Sequence, residues 1–115
     1  MSSGRKSLGW IFQVITAVIL VVAVLAHLLR VHIWGSYKGL PTYQDVIAAF
    51  KNPLVLGMEL VLAGAAIYHA LYGLHMVLVE ANLVNEEKSR KILAILGSAM
   101  FIYALILSII LAIKP

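Results

Sequence analysis

Three long apolar runs constrain this chain more than any other feature. They cover about residues 8–30, 53–80 and 92–113, and a bilayer span needs roughly 20 mostly apolar residues at 1.5 Å rise each. The first run has no Asp, Glu, Lys or Arg before Arg30, the second is interrupted only by Glu59 before Glu80 closes it, and the third is free of charge. All three read as helices, because irregular backbone in lipid would leave peptide groups unpaired. The first reads as a span and not a cleaved signal peptide, since its apolar region is too long and no small-residue cleavage pattern follows it. The fold class expected is all-α: an integral membrane protein with three transmembrane helices, forming one membrane-anchor domain over residues 1–115. Composition excludes the alternatives. With 63% of 115 residues hydrophobic and 12% charged, the chain cannot coat a soluble fold with polar groups. It is also too apolar for intrinsic disorder. Cysteine is absent, which removes disulfides, thiolate zinc, iron–sulfur clusters, c-type haem attachment and a cysteine nucleophile.

The net charge of +4 does not point to nucleic acid, because the basic residues flank the apolar runs. Arg5, Lys6, Lys88, Arg90 and Lys91 fall on one side of the membrane, and Arg30, Lys38, Lys51 and Lys114 on the other. That balance of five to four leans toward an N-terminus in the cytoplasm. Trp10 and Trp34 bracket the first span as interface aromatics do. Between spans one and two, Gly35, Gly39 and Pro41 act as breakers. Thr42 is placed to cap a short amphipathic helix over about 42–50, with Val46, Ile47, Ala49 and Phe50 on its apolar side. Pro53 suits the first turn of the next helix. Neither a repeat nor a low-complexity tract interrupts what reads as one compact three-helix unit.

Four histidines distinguish this chain from a generic lipid-embedded bundle: His27, His32, His69 and His75. Ionisable side chains inside a bilayer are costly unless partnered, so each is a functional candidate. A neutral imidazole in an apolar bundle is a good axial ligand for haem iron if its second nitrogen finds an acceptor. His69 lies near the middle of span two, on a stripe with Ala65 and Gly73 and beside Ala66 and Ala70. Such small residues would let a flat macrocycle approach the backbone. The same spacing also describes a small-xxx-small helix contact with His69 hydrogen-bonded to a neighbour, and spacing alone leaves both readings open. His27 lies about 10–12 Å from mid-membrane toward the far side, whereas His69 is close to the middle. The two therefore do not share one iron. As ligands they would serve two haems, each completed from another chain, because three helices rarely enclose a cofactor alone.

The remaining candidates sit near the surfaces. His75 and His32 are placed where haem propionates would need partners, or are plain interfacial histidines. Glu80 is an interfacial carboxylate or a proton acceptor near a quinone. Glu59 is expected in the far-side interface near Lys51. Tyr68, Tyr72 and Tyr103 read as packing residues or interfacial anchors.

Residues 41–46 (Pro-Thr-Tyr-Gln-Asp-Val), then Lys51-Asn52-Pro53, then Tyr68-His69-Ala70-Leu71-Tyr72-Gly73-Leu74 resemble the membrane-anchor (cytochrome b) subunits of succinate dehydrogenase and fumarate reductase, the complex II family. The resemblance extends over nearly the whole chain. The family's His-x-x-x-Gly-Leu pattern, with an acidic residue eleven positions after the His, falls here on His69, Gly73, Leu74 and Glu80. The resemblance implies that His69 is an axial ligand of haem b, and that His27 ligates a second haem as in two-haem members. An Arg-x-Ser-Gly pattern common in the first helix of the family reads Val14-Ile15-Thr16-Ala17 here. The quinone-vicinity positions carried over are thus Thr16 and Glu80. The family usually has Arg where this chain has His75, and Asp-Tyr where it has Glu80-Ala81.

What the resemblance implies is a haem b-binding anchor of a succinate:quinone oxidoreductase in the cytoplasmic (inner) membrane, half of a haem-binding bundle completed by a second anchor subunit. Such an anchor tethers a flavoprotein and an iron–sulfur subunit and takes part in electron transfer between the iron–sulfur protein and membrane quinone. The chain would not itself oxidise succinate. Two alternatives stand beside this: a haem-free anchor of the same complex, and an unrelated three-helix accessory subunit whose histidines line a proton or metal path.

Overall fold

The computed structural model describes residues 3–34 and 40–115. The breakers Gly35 and Gly39, together with Lys38, lie outside the described residues, as do the side chains of Arg5, Lys6 and Trp34. Four α-helices follow one another: α1 over Ser3–Leu28, α2 over Tyr43–Phe50, α3 over Pro53–Glu80 and α4 over Glu86–Ile113. A π-helical turn, Leu29–Trp34, prolongs α1. The chain is an all-α, multi-pass membrane protein. Its spans Leu8–Ile33, Pro53–Glu80 and Glu86–Ile113 have mean hydropathies of 2.6, 1.8 and 2.5, and the molecule is 50 Å long.

Local chemistry sets the helix ends. At α2, the Thr42 hydroxyl accepts from the Asp45 amide at 3.2 Å while the Asp45 carboxylate accepts from the Thr42 amide at 2.8 Å, a complete capping box. Asn52 caps α3 ahead of Pro53, its side chain accepting from Leu54 N at 3.0 Å. Asn85 caps α4 in the same way through Lys88 N. Helix α4 therefore starts well before its apolar run, with Glu86 and Glu87 in the first turn, where the helix dipole favours negative charge. Asn82 turns the short link between α3 and α4 with a φ of 58°, a left-handed conformation that Asn tolerates.

The three spans form an open layer. Helix α3 is in the middle, with α1 packed on one flank and α4 on another, and α1 and α4 do not approach each other closely. The compact unit expected from sequence is thus a concave layer with a groove between its outer helices. Helix α2 closes the far end by packing on α3 and α4, with Ile47 buried. There Lys51 Nζ donates to the carbonyls of Ala112 (3.3 Å) and Lys114, and the Lys114 ammonium lies 5.7 Å from the Tyr43 ring centre.

Close approach between α3 and α4 depends on small residues. A side chain at Gly97 would start 3.0 Å from Leu71 Cδ1, and one at Gly64 would start 3.1 Å from Phe101 Cε1. Among the described residues the buried apolar ones are only Ile47 and Ala65. Almost all the large aliphatic side chains keep substantial exposure, as befits a chain whose outer faces meet lipid or other subunits. Replacing Gly97 by Val should push the helices apart and cost about 1–3 kcal/mol. Gly57 faces open space, so Gly57→Ala should leave stability unchanged or raise it by up to about 1 kcal/mol. Thermal unfolding in detergent, followed by far-UV circular dichroism, reads both.

Candidate functional site in the α1–α3 interface

Polar contacts between α1 and α3 converge on His69. Its Nδ1 lies 3.2 Å from Thr16 Oγ1, and its backbone carbonyl accepts from Gln13 Nε2 at 3.0 Å. The Thr16 hydroxyl carries one proton and sits 2.8 Å from the carbonyl of Phe12 and 3.0 Å from that of Gln13. A hydroxyl that donates back into its own helix has only lone pairs left for a neighbour. Thr16 therefore accepts from the Nδ1–H of His69. A neutral ring protonated at Nδ1 carries its free lone pair on Nε2, and Nε2 has no hydrogen-bond partner among the described residues. The arrangement presents one unprotonated nitrogen at the edge of α3, beside the exposed Ala66 and Ala70.

The stripe expected to receive a flat macrocycle is partly taken. Ala65 is buried, and a side chain at Gly73 would begin 3.0 Å from Gln13 Nε2. These small residues let α1 lie close to α3, which makes the stripe a helix contact, with the open surface one step round α3 at Ala66 and Ala70. Gln13 Oε1 is buried there without a hydrogen-bond partner among the described residues. Toward the N-terminal end the Tyr68 hydroxyl donates to Gly9 O at 3.1 Å, and Tyr68 stacks on Tyr72 at 5.4 Å with planes 6° apart.

A second cluster lies at the far end of the same interface. His27 Nδ1 is 2.8 Å from Glu59 Oε1, and Arg30 reaches the same oxygen at 2.7 Å. Glu59, expected in the far-side interface near Lys51, gives its carboxylate to His27 and Arg30. It is drawn into the α1–α3 contact because a carboxylate in a span needs charged donors, and the π-helical turn carries Arg30 to it. His27 and Glu59 also line a cleft of about 620 Å³ with Val22, Ala26, Pro53 and Met58. A carboxylate on Nδ1 with Nε2 outward is the arrangement that orients metal-binding imidazoles. Glu59 precedes His69 by ten residues, so the two histidines are about 15 Å apart along α3.

The other candidates are dispersed. His75 is 7% exposed, its Nδ1 bonded to Ser89 Oγ of α4 at 2.9 Å, so it is buried between the two helices. His32 is exposed on the π-helical turn, and Glu80 is exposed at the end of α3. Thr16 contacts His69, and neither it nor Glu80 lines the cavity of about 840 Å³ in the groove between α1 and α4. Gln13, Ser89 and Arg30 were missed from sequence as site residues. A polar residue inside an otherwise apolar run was the available signal for Gln13.

The comparisons with known proteins bear on the whole chain. Residues 1–110 match the family described as succinate dehydrogenase/fumarate reductase transmembrane subunit. The chain belongs to this family. One curated relative, "Succinate dehydrogenase 2 membrane subunit SdhC" of Mycobacterium tuberculosis, is 34% identical over 61 residues, 53% of this chain and 45% of the relative. The match thus spans less than half of that protein's length. No solved structure matches the chain.

Two substitutions, each set against a control variant, test the site without reference to any cofactor. Thr16→Val should abolish the Nδ1–H preference of His69, seen as averaging of its two ring ¹⁵N shifts in labelled protein, while Thr16→Ser should retain it. Glu59→Ala strands Arg30 and should lower stability by about 1–3 kcal/mol, more than Glu87→Ala, whose exposed pair with Lys91 is 3.4 Å long.

Proposed function

We propose that this chain is the haem b-binding anchor of a succinate:quinone oxidoreductase. On this reading it tethers a flavoprotein and an iron–sulfur subunit to the cytoplasmic membrane, N-terminus inward, and takes part in electron transfer between the iron–sulfur protein and quinone. The observation that carries the reading is the Thr16–His69 contact, which takes up the Nδ1 proton and so leaves Nε2 as the nitrogen that bears the lone pair in the neutral ring. That is the state an axial ligand needs, since a protonated Nε2 has no electron pair to give. His27, its Nδ1 on the Glu59 carboxylate, has a similar arrangement about 15 Å away along α3.

The residues fit the group. His69 would hold one haem and His27 a second, each iron completed by a ligand from a second anchor subunit on the open side of α3. When bound, haem supplies a one-electron Fe(III)/Fe(II) couple. The chain's own contribution is to orient two imidazoles and hold their protons on Nδ1. His32, near the His27 end, is available to propionates at the surface. A second reading, the haem-free anchor, draws on the Gly73–Gln13 contact: with the stripe packed on α1, His69 would serve helix association alone.

Reduced-minus-oxidised spectra of the purified complex separate the two. His69→Ala should remove one b-type component, and His27→Ala should remove another, with flavin content unchanged. Spectra identical to wild type in both variants would favour the haem-free anchor.

A further inference from the structure

We propose that Glu59 and Arg30 are positioning residues that act through His27. The carboxylate draws on the Nδ1–H and strengthens Nε2 as an electron donor, and the guanidinium on the same oxygen limits that pull. For the iron that Nε2 would meet, the inference rests on the haem reading above; for the state of the ring it stands on the contacts alone.

Both contacts fall on one atom. His27 Nδ1 lies 2.8 Å from Glu59 Oε1, and Arg30 Nη2 lies 2.7 Å from it. A positive charge held against an acceptor oxygen weakens its attraction for a second proton. The Glu59 side chain is only 16% exposed, and partly buried charges are screened far less than surface ones. The backbone changes form at the point where this meeting is made. Helix α1 ends at Leu28 and the π-helical turn begins at Leu29, so His27 and Arg30 stand on either side of the change. Such turns are rare and gather at functional sites. The cleft of about 620 Å³ beside His27 is lined by His27 and Glu59 and not by Arg30. An occupant of the cleft therefore meets the imidazole and the carboxylate, while the guanidinium is engaged with the carboxylate.

His69 is supported by different means. Its Nδ1 faces a neutral hydroxyl at 3.2 Å, a longer bond than the one to the carboxylate at His27. Hydrogen bonds with an ionised partner are shorter and about twice as strong as neutral ones. A stronger acceptor on Nδ1–H makes the opposite nitrogen the more basic ligand, and a more basic ligand favours Fe(III) over Fe(II). Removing the negative charge of Glu59 should thus make His27 the weaker donor. Removing the positive charge of Arg30, which is fixed at all working pH values, should make it the stronger one. His69, about 15 Å away along α3 and tied to an uncharged group, should respond little to either.

The test is a redox titration of the purified complex, followed at each b-type component, with His27→Ala marking the component at issue. Glu59→Gln should raise the midpoint of that component alone, by about a tenfold change in the Fe(III)/Fe(II) preference, or about 59 mV for one electron. Arg30→Gln should lower it by a similar amount, and Arg30→Lys, which keeps the charge, should stay near wild type. A second readout needs no haem. In the ¹⁵N-labelled full chain produced without haem, the His27 Nδ1 proton should resonate farther downfield than that of His69. Glu59→Gln should move it back and leave the His69 proton in place. Should Glu59→Gln fail to assemble, the contrast between Arg30→Gln and Arg30→Lys decides. Equal midpoints in wild type and Glu59→Gln overturn the proposal, as does a rise in Arg30→Gln or an equal shift of both components. A wild-type complex with no His27-dependent component would sink the haem reading at His27 and leave the ring resonance to decide. A His27 proton indifferent to Glu59→Gln would then overturn the positioning role as well.

Discussion

The contact between α1 and α3 is what the rest of the structure depends on, and at its centre Thr16 and His69 share a proton. Thr16 spends its hydroxyl hydrogen on its own helix, so the bond to His69 runs in one direction only. In lipid, apolar faces gain little by meeting one another, because the surrounding tails are as apolar as the side chains. Register between helices is then decided by the few groups that must find partners. Gln13 with the His69 carbonyl, Tyr68 with Gly9 and Glu59 with His27 and Arg30 all fix the same antiparallel alignment.

The small residues work with these ties. Gly73 admits Gln13, and Ala65 lets the helices close to the point where it is buried. A larger residue at Gly73 would displace the amide that holds the His69 carbonyl. On the other flank, Gly64 and Gly97 bring α4 close to α3, while Ser89 ties His75. The outcome is a layer in which α3 carries chemistry on two different sides. His69 lies beside the exposed Ala66 and Ala70, and His75 lines the groove between the flanking helices.

Much of this was legible in the sequence. Span lengths follow from hydropathy, the cap of α2 from Thr42, the start of α3 from Pro53, and the candidate ligands from the rarity of histidine in lipid. Rotation was not legible. Helix α3 is apolar nearly all round, so its pattern carries no phase to say which side meets α1. For that reason Glu59 was placed beside Lys51, when it turns toward His27. The stripe at Gly73 could equally have faced a macrocycle or a helix. Ser89 and the early start of α4 were hidden among polar residues that read as a loop. The role of Thr16 was invisible because it depends on where a hydroxyl sends its proton, a matter of three-dimensional neighbours.

The central claim is that His69 Nε2 is the free end of an imidazole held for a metal. A density map of the assembled complex tests it most directly. The account requires iron at bonding distance from His69 Nε2, with Thr16 still on Nδ1. A map in which that nitrogen touches only amino-acid side chains or lipid would contradict it.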